Sequence, residues 1–373
     1  MEHYTEQDVL RLGRRIHNAK RSYLLVDPLQ GKHIPVSPTE TCRMARALGE
    51  RLLQEAPEAR MVIGFAETAT AIAALAALSF PEDTIYLHTT REPLDSDQVV
   101  RFLEEHSHAV DQQIDCRLMT ADRTQTIVMI DDEISTGRTI DNIVTQLRQT
   151  FPFLGSTRFV IGSIINRMEP DVREEMSRRN IHFVSLVQVM HRDFETAAQR
   201  LSVMEPQEVP ATRSVPYQIH TPVMVLPNLR TGVDVKRMAE DMGAFAHAVE
   251  DFLTQEDRCH GRLLLLGTEE CMTPAILTGQ WLESRHPSLM VRSHATTRSP
   301  IGVAALPDYP CQNGYRLSSF YEDDRITYLY NIADYDTVVV ITDSRRTANM
   351  EQAMQQIGRL YNGHCQFIYL IRG

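Results

Sequence analysis

The segment Val128–Thr139, VMIDDEISTGRT, contains the residue pattern in this chain that is best suited to chemistry. An apolar, β-branched run predicts a strand that ends in two carboxylates, Asp131 and Asp132, followed by small residues and a helix. Successive backbone N–H groups and the positive end of a helix dipole make such a loop an anion site. The residues that follow the acidic pair in this site are Glu133, Ser135, Thr136, Gly137, Arg138 and Thr139.

The acidic pair has a different chemistry from the loop. Adjacent carboxylates repel phosphate, but they accept hydrogen bonds from vicinal hydroxyls and ligate divalent cations. Together the two parts predict a sugar-phosphate site, with the phosphate in the loop and the hydroxyls or a metal on Asp131 and Asp132. The structural alternative is an acidic helix cap with a glycine turn. A Walker loop is excluded because the chain has no GxxxxGK[ST] motif, and it has no GxGxxG either.

A parallel α/β sheet is predicted to position this motif. Strand-like and helix-like runs alternate from Met61 to Val189, which implies parallel strands joined by right-handed crossovers. Glu6–Lys20 is predicted to be an amphipathic helix. Residues 92–123 are mostly polar, with one helical turn predicted at Val99–Glu105, and their length is typical of a functional lid.

The pattern of the first half recurs, in the same order, in the second half. The matched pairs are Val62–Thr70 with Leu263–Thr273, Leu87–Arg91 with Ser293–Arg298, and Thr126–Thr136 with Thr337–Thr347. We therefore predict an α/β protein with two tandem, diverged copies of one domain, each a mainly parallel sheet flanked by helices. The predicted boundaries are 1–201 for the first domain, 202–218 for a proline-containing linker and 219–373 for the second domain.

Composition limits the classes of partner and the compartment. The 373 residues suit two domains. The net charge of −11, without a basic half or tail, makes nucleic acid and anionic membranes poor partners. The N-terminus lacks an apolar signal core, and no run approaches the length of a membrane span. The six scattered cysteines lack a CxxC pair, which predicts a cytoplasmic protein.

The Val128–Thr139 motif resembles the loop that binds 5-phosphoribosyl-1-diphosphate (PRPP) in type I phosphoribosyltransferases. The second half carries Thr297–Pro300, TRSP, which is similar to the signature of the TRSP domain. That domain follows a phosphoribosyltransferase-like domain in proteins encoded with tellurium-resistance and stress-response systems. Gly31–His33 and Gly64–Thr68 agree with that family, so the resemblance extends along nearly the whole chain.

The resemblance implies roles for the motif residues. Asp131 and Asp132 would hold the ribose hydroxyls and stabilise an oxocarbenium-like transition state, and Glu133–Thr139 would bind the 5′-phosphate. Mg²⁺ is implied as the cofactor that neutralises the diphosphate, with Asp131 and Asp132 as further ligands. The diphosphate site would consist of Glu67, Thr68, Ala69, Thr70 and Arg91.

Two departures from the family pattern concern the lid and the diphosphate loop. Residues 92–123 contain no lysine, although some of these enzymes place a catalytic lysine there, so Arg101, Arg117 or Arg123 would have to replace it. Glu67 is an anion where an anionic ligand is expected. Either its side chain caps the following helix, which we favour, or it reaches Mg²⁺ or a substrate amine.

The second half has lost part of the loop chemistry. Thr342 and Asp343 stand where the acidic pair is expected, and Ala348 matches Gly137. Normal phosphoribosyl transfer is therefore not expected there. Two alternatives stay open: this half binds another substrate, or it covers the first site in a homodimer. Its polar residues at predicted strand ends are Glu269, Glu270, Thr273, Thr297, Arg298 and Ser299.

The sequence predicts a PRPP-dependent transferase that joins 5-phosphoribosyl to a small base-like acceptor and releases diphosphate. One alternative is a non-catalytic regulator that binds a nucleotide or PRPP. A second alternative is a diphosphokinase resembling the enzyme that makes PRPP, although no ATP-specific motif supports it.

Overall fold

The computed structural model describes residues 2–18, 21–103, 110–190, 192–211, 214–215, 217–221, 224–344 and 347–372. None of the helices in these ranges combines the length and the hydropathy that crossing a bilayer requires. The helices are α1 (Glu6–Val9), α2 (Pro38–Glu55), α3 (Thr70–Ala77), α4 (Arg138–Thr150), α5 (Pro170–Arg178), α6 (Phe194–Gln199), α7 (Val235–Gln255), α8 (Thr273–Arg285) and α9 (Ala348–Leu360).

The strands of the first half are β1 (Arg11–Arg14), β2 (Tyr23–Val26), β3 (Met61–Gly64), β4 (Ile85–His88), β5 (Val99–Leu103), β6 (Val110–Asp115), β7 (Thr126–Ile134), β8 (Arg158–Asn166) and β9 (Ile181–Gln188). Those of the second half are β10 (Gln207–Glu208), β11 (Gln218–His220), β12 (Val225–Leu226), β13 (Val233–Asp234), β14 (Arg262–Gly267), β15 (Met290–Ala295), β16 (Gly314–Ser318), β17 (Ile326–Tyr330), β18 (Thr337–Thr342), β19 (Cys365–Tyr369) and β20 (Ile371–Arg372).

The chain forms two compact units, each of which is assembled from three separate segments of the sequence. Unit 1 contains Met1–Glu6, Arg43–His191 and Pro227–Asp241, and unit 2 contains Gln7–Cys42, Arg192–Leu226 and Met242–Gly373. The predicted domain boundaries instead placed Gln7–Cys42 in the first domain and Pro227–Asp241 in the second. Contacts between residues far apart in sequence determine which unit a segment joins, and the local sequence pattern does not reveal those contacts.

Unit 1 is built on a six-stranded sheet in the order β13-β4-β3-β7-β8-β9. All neighbouring strands are parallel except β13, which pairs antiparallel with β4. The first five residues of β7 are buried, as expected for a central parallel strand that is covered on both faces. On α4, Ile140, Ile143, Val144 and Leu147 are buried at helical spacing, which fixes this helix against the core.

Unit 2 contains a five-stranded parallel sheet in the order β11-β19-β18-β14-β15. The order β15-β14-β18-β19 matches β4-β3-β7-β8 of unit 1, and in both units an antiparallel hairpin precedes the central strand. This agreement in strand order is what a tandem duplication would produce. The duplication itself stays a prediction.

Two predicted helical segments were wrong. The helix predicted over Glu6–Lys20 ends at Val9, and Arg11–Arg14 forms β1, which pairs with β2. Val99–Leu103 is strand β5 rather than a helical turn, because it pairs antiparallel with β6. Residues 104–109, at the centre of the predicted lid, lie outside the described ranges.

Candidate active site

The acidic pair lies at the carboxyl end of β7, between the ends of β3 and β8. Asp131 and Asp132 are both partly exposed, whereas the five residues before them are buried. The Asp132 backbone N–H donates to Asp131 Oδ1 at 3.0 Å. The strand thus presents two carboxylates at the edge of the sheet where open α/β folds bind their ligands.

Both carboxyls of this pair are harder to ionise than an ordinary aspartic acid. Burial and the neighbouring Asp132 carboxylate raise the pKa of Asp131 well above its usual range. Burial and the nearby Glu133 raise the pKa of Asp132 in the same direction. A bound cation or a cationic reaction centre beside the pair would favour its ionised form.

The loop after the acidic pair turns directly into α4. Gly137 occupies the N-cap position with φ of 75° and has no side chain to cap the first-turn amides. Thr136 is exposed, and its Oγ1 accepts a hydrogen bond from the Arg138 N–H at 3.4 Å. Ser135 is partly exposed, and Arg138 and Thr139 are exposed. The loop is thus an open helix N-terminus lined with hydroxyls and amides, which suits a phosphate.

The loop predicted to bind diphosphate contacts the acidic pair directly. Thr68 Oγ1 donates to Asp132 Oδ1 at 2.9 Å. Ala69 and Thr70 are buried where α3 begins, and the Ala66–Glu67 peptide bond is cis. Glu67 is buried, and its backbone carbonyl accepts a hydrogen bond from Thr70 Oγ1. The capping role of the Glu67 side chain stays a prediction.

The end of β4 holds the other side of this loop. Thr89 N–H donates to the Gly64 carbonyl, and the Ala66 N–H donates to Thr89 Oγ1, each at 2.9 Å. Arg91 follows and is exposed. The loop therefore lies between the carboxyl ends of β4 and β7. Sequence reasoning did not name Thr89 as a site residue, although Thr89 directly follows β4.

Glu133 forms an ion pair inside unit 1. Its Oε1 accepts from Arg167 Nε at 2.8 Å, and the two side chains are only 8% and 11% exposed. Arg167 follows β8, and its backbone N–H donates to the Ile134 carbonyl. The predicted phosphate-binding residue is thus engaged with a guanidinium at the side of the site, and Arg167 is a further charged residue at this edge.

Part of the predicted lid, residues 92–123, is packed into the hydrophobic core of unit 1. Phe102, Ile114 and Cys116 are buried in the unit 1 core, so the base of the β5–β6 hairpin is packed. Of the three candidate arginines, Arg117 pairs with the buried Asp115 at 2.7 Å, and Arg123 contacts the Asp83 carbonyl at 3.5 Å. Arg101 is exposed on β5, and the replacement of a lid lysine by one of these arginines stays a prediction.

In unit 2, the buried Glu269 is hydrogen-bonded by one predicted second-site residue and by three residues that were not predicted. Glu269 Oε2 accepts from Arg298 Nε at 2.6 Å and from Arg325 at 3.1 Å, and its Oε1 accepts from Ser319 at 2.6 Å. Lys32 donates to the Glu269 backbone carbonyl at 2.6 Å. Sequence reasoning named Glu269 and Arg298 but missed the other three, which are distant in the chain.

The remaining predicted residues of this second site lie at the same sheet edge. Glu270 is buried 3.9 Å from Arg298, and Thr273 begins α8. Thr297 Oγ1 accepts from the Ser299 N–H at 3.2 Å, within their own loop. Backbone hydrogen bonds of 2.7 and 2.9 Å also join Thr297 to Tyr328, and the Tyr330 hydroxyl donates to the Ser299 carbonyl at 2.8 Å.

Replacing Gly137 by alanine is expected to destabilise unit 1 by about 1–3 kcal/mol, because a Cβ there is strained and crowded. The backbone has φ of 75°, and an added Cβ would lie 2.8 Å from Met168 Cε. Urea denaturation measures the loss. Gly155→Ala is the matched control, since a Cβ there meets nothing within 4 Å. Equal stability of the two variants would contradict the prediction.

Comparison with known families gives the class of the protein. Residues 9–192 match the family model described as phosphoribosyl transferase. With the acidic pair at the end of β7, this match makes the chain a phosphoribosyltransferase. Residues 229–357 match the TRSP domain that lies C-terminal to this transferase domain. The chain therefore belongs to the family in which that phosphoribosyltransferase domain is followed by a TRSP domain.

Solved structures of phosphoribosyltransferases resemble about half of the chain. Orotate phosphoribosyltransferase from Aeropyrum pernix is 22% identical over 49% of this chain and 89% of its own, with a TM-score of 0.33. Adenine phosphoribosyltransferase from Trypanosoma brucei is 14% identical over 48% and 76%, with a TM-score of 0.34. The corresponding enzyme from Leishmania tarentolae is 15% identical over 52% and 88%, with a TM-score of 0.35. No curated protein matches the chain. The family assignment rests on the family models.

Proposed function

We propose that this chain transfers 5-phosphoribosyl from PRPP to a small base-like acceptor and releases diphosphate. The observation that carries the proposal is the 2.9 Å hydrogen bond from Thr68 to Asp132. It brings the loop proposed for diphosphate onto the acidic pair, which is followed directly by the open N-terminus of α4. A leaving group, a ribose and a 5′-phosphate can thus be held by consecutive parts of one sheet edge.

In the proposed reaction, the bond from ribose C1 to the diphosphate oxygen breaks, and a bond from C1 to a nitrogen or carbon of the acceptor forms. Asp131 and Asp132 accept hydrogen bonds from the ribose hydroxyls, and their charge stabilises the cationic character that develops at the ring. Ser135–Thr139 hold the 5′-phosphate through hydroxyls and first-turn amides. Thr68–Thr70 hold the diphosphate beside Arg91.

The acidic pair fits Mg²⁺ as the cofactor. Its oxygens are hard ligands, and a cation beside them would favour the ionised form of both carboxyls, whose pKa burial raises. In the described ranges, no three or more His, Cys, Asp or Glu side chains form a metal-holding group. Mg²⁺ commonly keeps waters and substrate oxygens as ligands, so two carboxylates suffice. When bound, the ion neutralises charge on the leaving diphosphate.

The finer parts of the proposal concern biology and assembly. We place the enzyme in the cytoplasm, where it would make a nucleoside-like metabolite in tellurium resistance or stress response. PRPP and the acceptor are its proposed partners, without nucleic acid or membrane. A homodimer in which the second half covers the first site is one assembly to examine, by light scattering with and without PRPP.

Diphosphate release tests the function directly. Full-length protein, PRPP and Mg²⁺ are incubated with a panel of purine, pyrimidine and pyridine bases, and diphosphate and new ribonucleotides are followed by coupled assay and mass spectrometry. Acceptor-dependent release supports the transferase. Tight PRPP binding by calorimetry without turnover of any acceptor would contradict it and favour a regulator.

A further inference from the structure

A segment matched to the TRSP domain completes the sheet of the transferase unit. The TRSP match begins at residue 229, yet Pro227–Asp241 belongs to unit 1. Within it, β13 pairs antiparallel with β4, with Val233 opposite Tyr86. The segment thus forms the edge strand beside β4, although more than a hundred residues separate them in the chain.

Backbone hydrogen bonds extend this pairing along the whole of β4. The Val235 N–H donates to the Thr84 carbonyl at 2.9 Å, and the His88 N–H donates to the Leu229 carbonyl at 3.1 Å. Because the two strands are antiparallel, the start of the segment lies at the carboxyl end of β4. That end is the one that holds the proposed diphosphate loop.

Arg230 is the charged residue that the segment brings to this position. It is only 4% exposed, and its Nε donates to Thr90 Oγ1 at 3.0 Å across 140 residues of sequence. The Thr90 backbone exchanges two hydrogen bonds with Gln113 of β6, at 2.8 and 2.9 Å. Thr90 therefore joins the guanidinium to the base of the β5–β6 hairpin.

The same strand end connects Thr90 to the diphosphate loop. Thr89, its neighbour, accepts a hydrogen bond from the Ala66 N–H and donates its own N–H to Gly64. The buried Arg230 guanidinium therefore contacts the end of β4, the strand next to the loop that would receive a highly charged diphosphate. It also restrains the junction between that loop and the hairpin.

We infer that Arg230 is a positioning residue of the phosphoribosyltransferase site, and this inference rests on the function proposed above. Through Thr90, it holds the diphosphate loop and the hairpin base at the spacing that PRPP needs. The TRSP-matched part of the chain thereby supplies a residue on which PRPP binding depends, which gives a physical reason for carrying both domains on one chain.

The test compares Arg230→Gln, Thr90→Val and the double variant in the full-length protein. We expect each single change to raise the KM for PRPP by about tenfold or more, as the loss of a hydrogen bond from a charged donor does, with a much smaller change in kcat. The double variant should raise the KM by less than the product of the two single effects, because both changes remove the Arg230–Thr90 hydrogen bond, while Thr90→Val also removes the acceptor of the Glu92 N–H. Arg237→Gln, an exposed arginine on the same segment, is the control.

Thermal unfolding of each variant separates positioning from folding. If Arg230→Gln does not fold, Arg230→Lys is measured in its place. The lysine keeps the positive charge but lacks the Nε donor, so this variant should also raise the KM for PRPP. An unchanged KM in folded Arg230 variants, or additive effects of the two changes, would overturn this inference alone. Wild-type protein that neither binds nor converts PRPP would overturn the proposed function as well.

Discussion

Replacing Asp131 and Asp132 together by asparagine is expected to lower the rate of diphosphate release from PRPP by about a thousandfold or more. Asparagine keeps the size of both side chains and part of their hydrogen bonding. It removes the negative charge that would stabilise a cationic ribose and attract Mg²⁺. Steady-state diphosphate release with saturating PRPP measures the effect, and circular dichroism confirms that the fold is retained.

The same variant should unfold at a higher temperature than the wild type in the absence of ligand. Partial burial raises the pKa of both carboxyls in the folded protein, helped by the Asp132 charge at Asp131 and by the Glu133 charge at Asp132, so the folded state binds more protons than the unfolded state. Stability linked to this pair is therefore fully present below the ordinary aspartate pKa and falls as the pH rises through the raised values. The gain of the asparagine variant should grow with pH over that window.

Asp323 and Asp324 provide the matched control, because they are also adjacent and both are exposed. Their double asparagine variant removes the same formal charge but should leave diphosphate release unchanged. Activity of the Asp131 and Asp132 variant near the wild-type level would contradict their assignment to the site. A melting temperature that does not rise relative to the control would contradict the electrostatic argument.

Glu269→Gln is expected to destabilise unit 2 by about 3–5 kcal/mol, the usual cost of breaking a buried ion pair from one side. The Glu269 side chain is fully buried, whereas those of Arg298 and Arg325 are 12% and 17% exposed. Without the carboxylate, two largely buried guanidinium groups lose their shared partner. Urea denaturation, followed by the fluorescence of Trp281 in unit 2, measures the loss of stability.

Glu322→Gln is the control for this prediction because Glu322 also pairs with Arg325. Its side chain is 59% exposed, so loss of the charge should change stability by no more than about 1 kcal/mol. Similar losses in the two variants would show that the cluster around Glu269 does not stabilise the sheet edge. A large difference would show that burial, rather than the presence of an ion pair, decides the energy.

Much of the proposed transferase site was predictable from local sequence. The apolar run of β7, the acidic pair, Gly137 and the apolar spacing of α4 are contiguous, so strand, loop and helix follow from nearest-neighbour chemistry and periodicity. The loop at Thr68 was expected from the family resemblance, and it lies beside the acidic pair because neighbouring parallel strands end at one edge of the sheet. The α/β class followed from the alternation of strands and helices.

Other features depended on contacts between distant residues. Val99–Leu103 is a strand because β6 pairs with it, and Arg11–Arg14 is a strand because β2 does. Arg167 was placed beside Glu133 by the pairing of β7 with β8. In each case, pairing with another strand determined a conformation or a contact that the local sequence pattern did not specify.

The sequence by itself determined that an acidic pair and the proposed phosphate loop follow one strand, because those residues are neighbours along the chain. Only the tertiary structure decided that Arg230 joins the same unit, and that Glu269 is enclosed by Lys32, Arg298 and Arg325. The physical reason is that edge strands and buried charges are stabilised by residues close to them in space. Folding brings those residues together from distant parts of the chain.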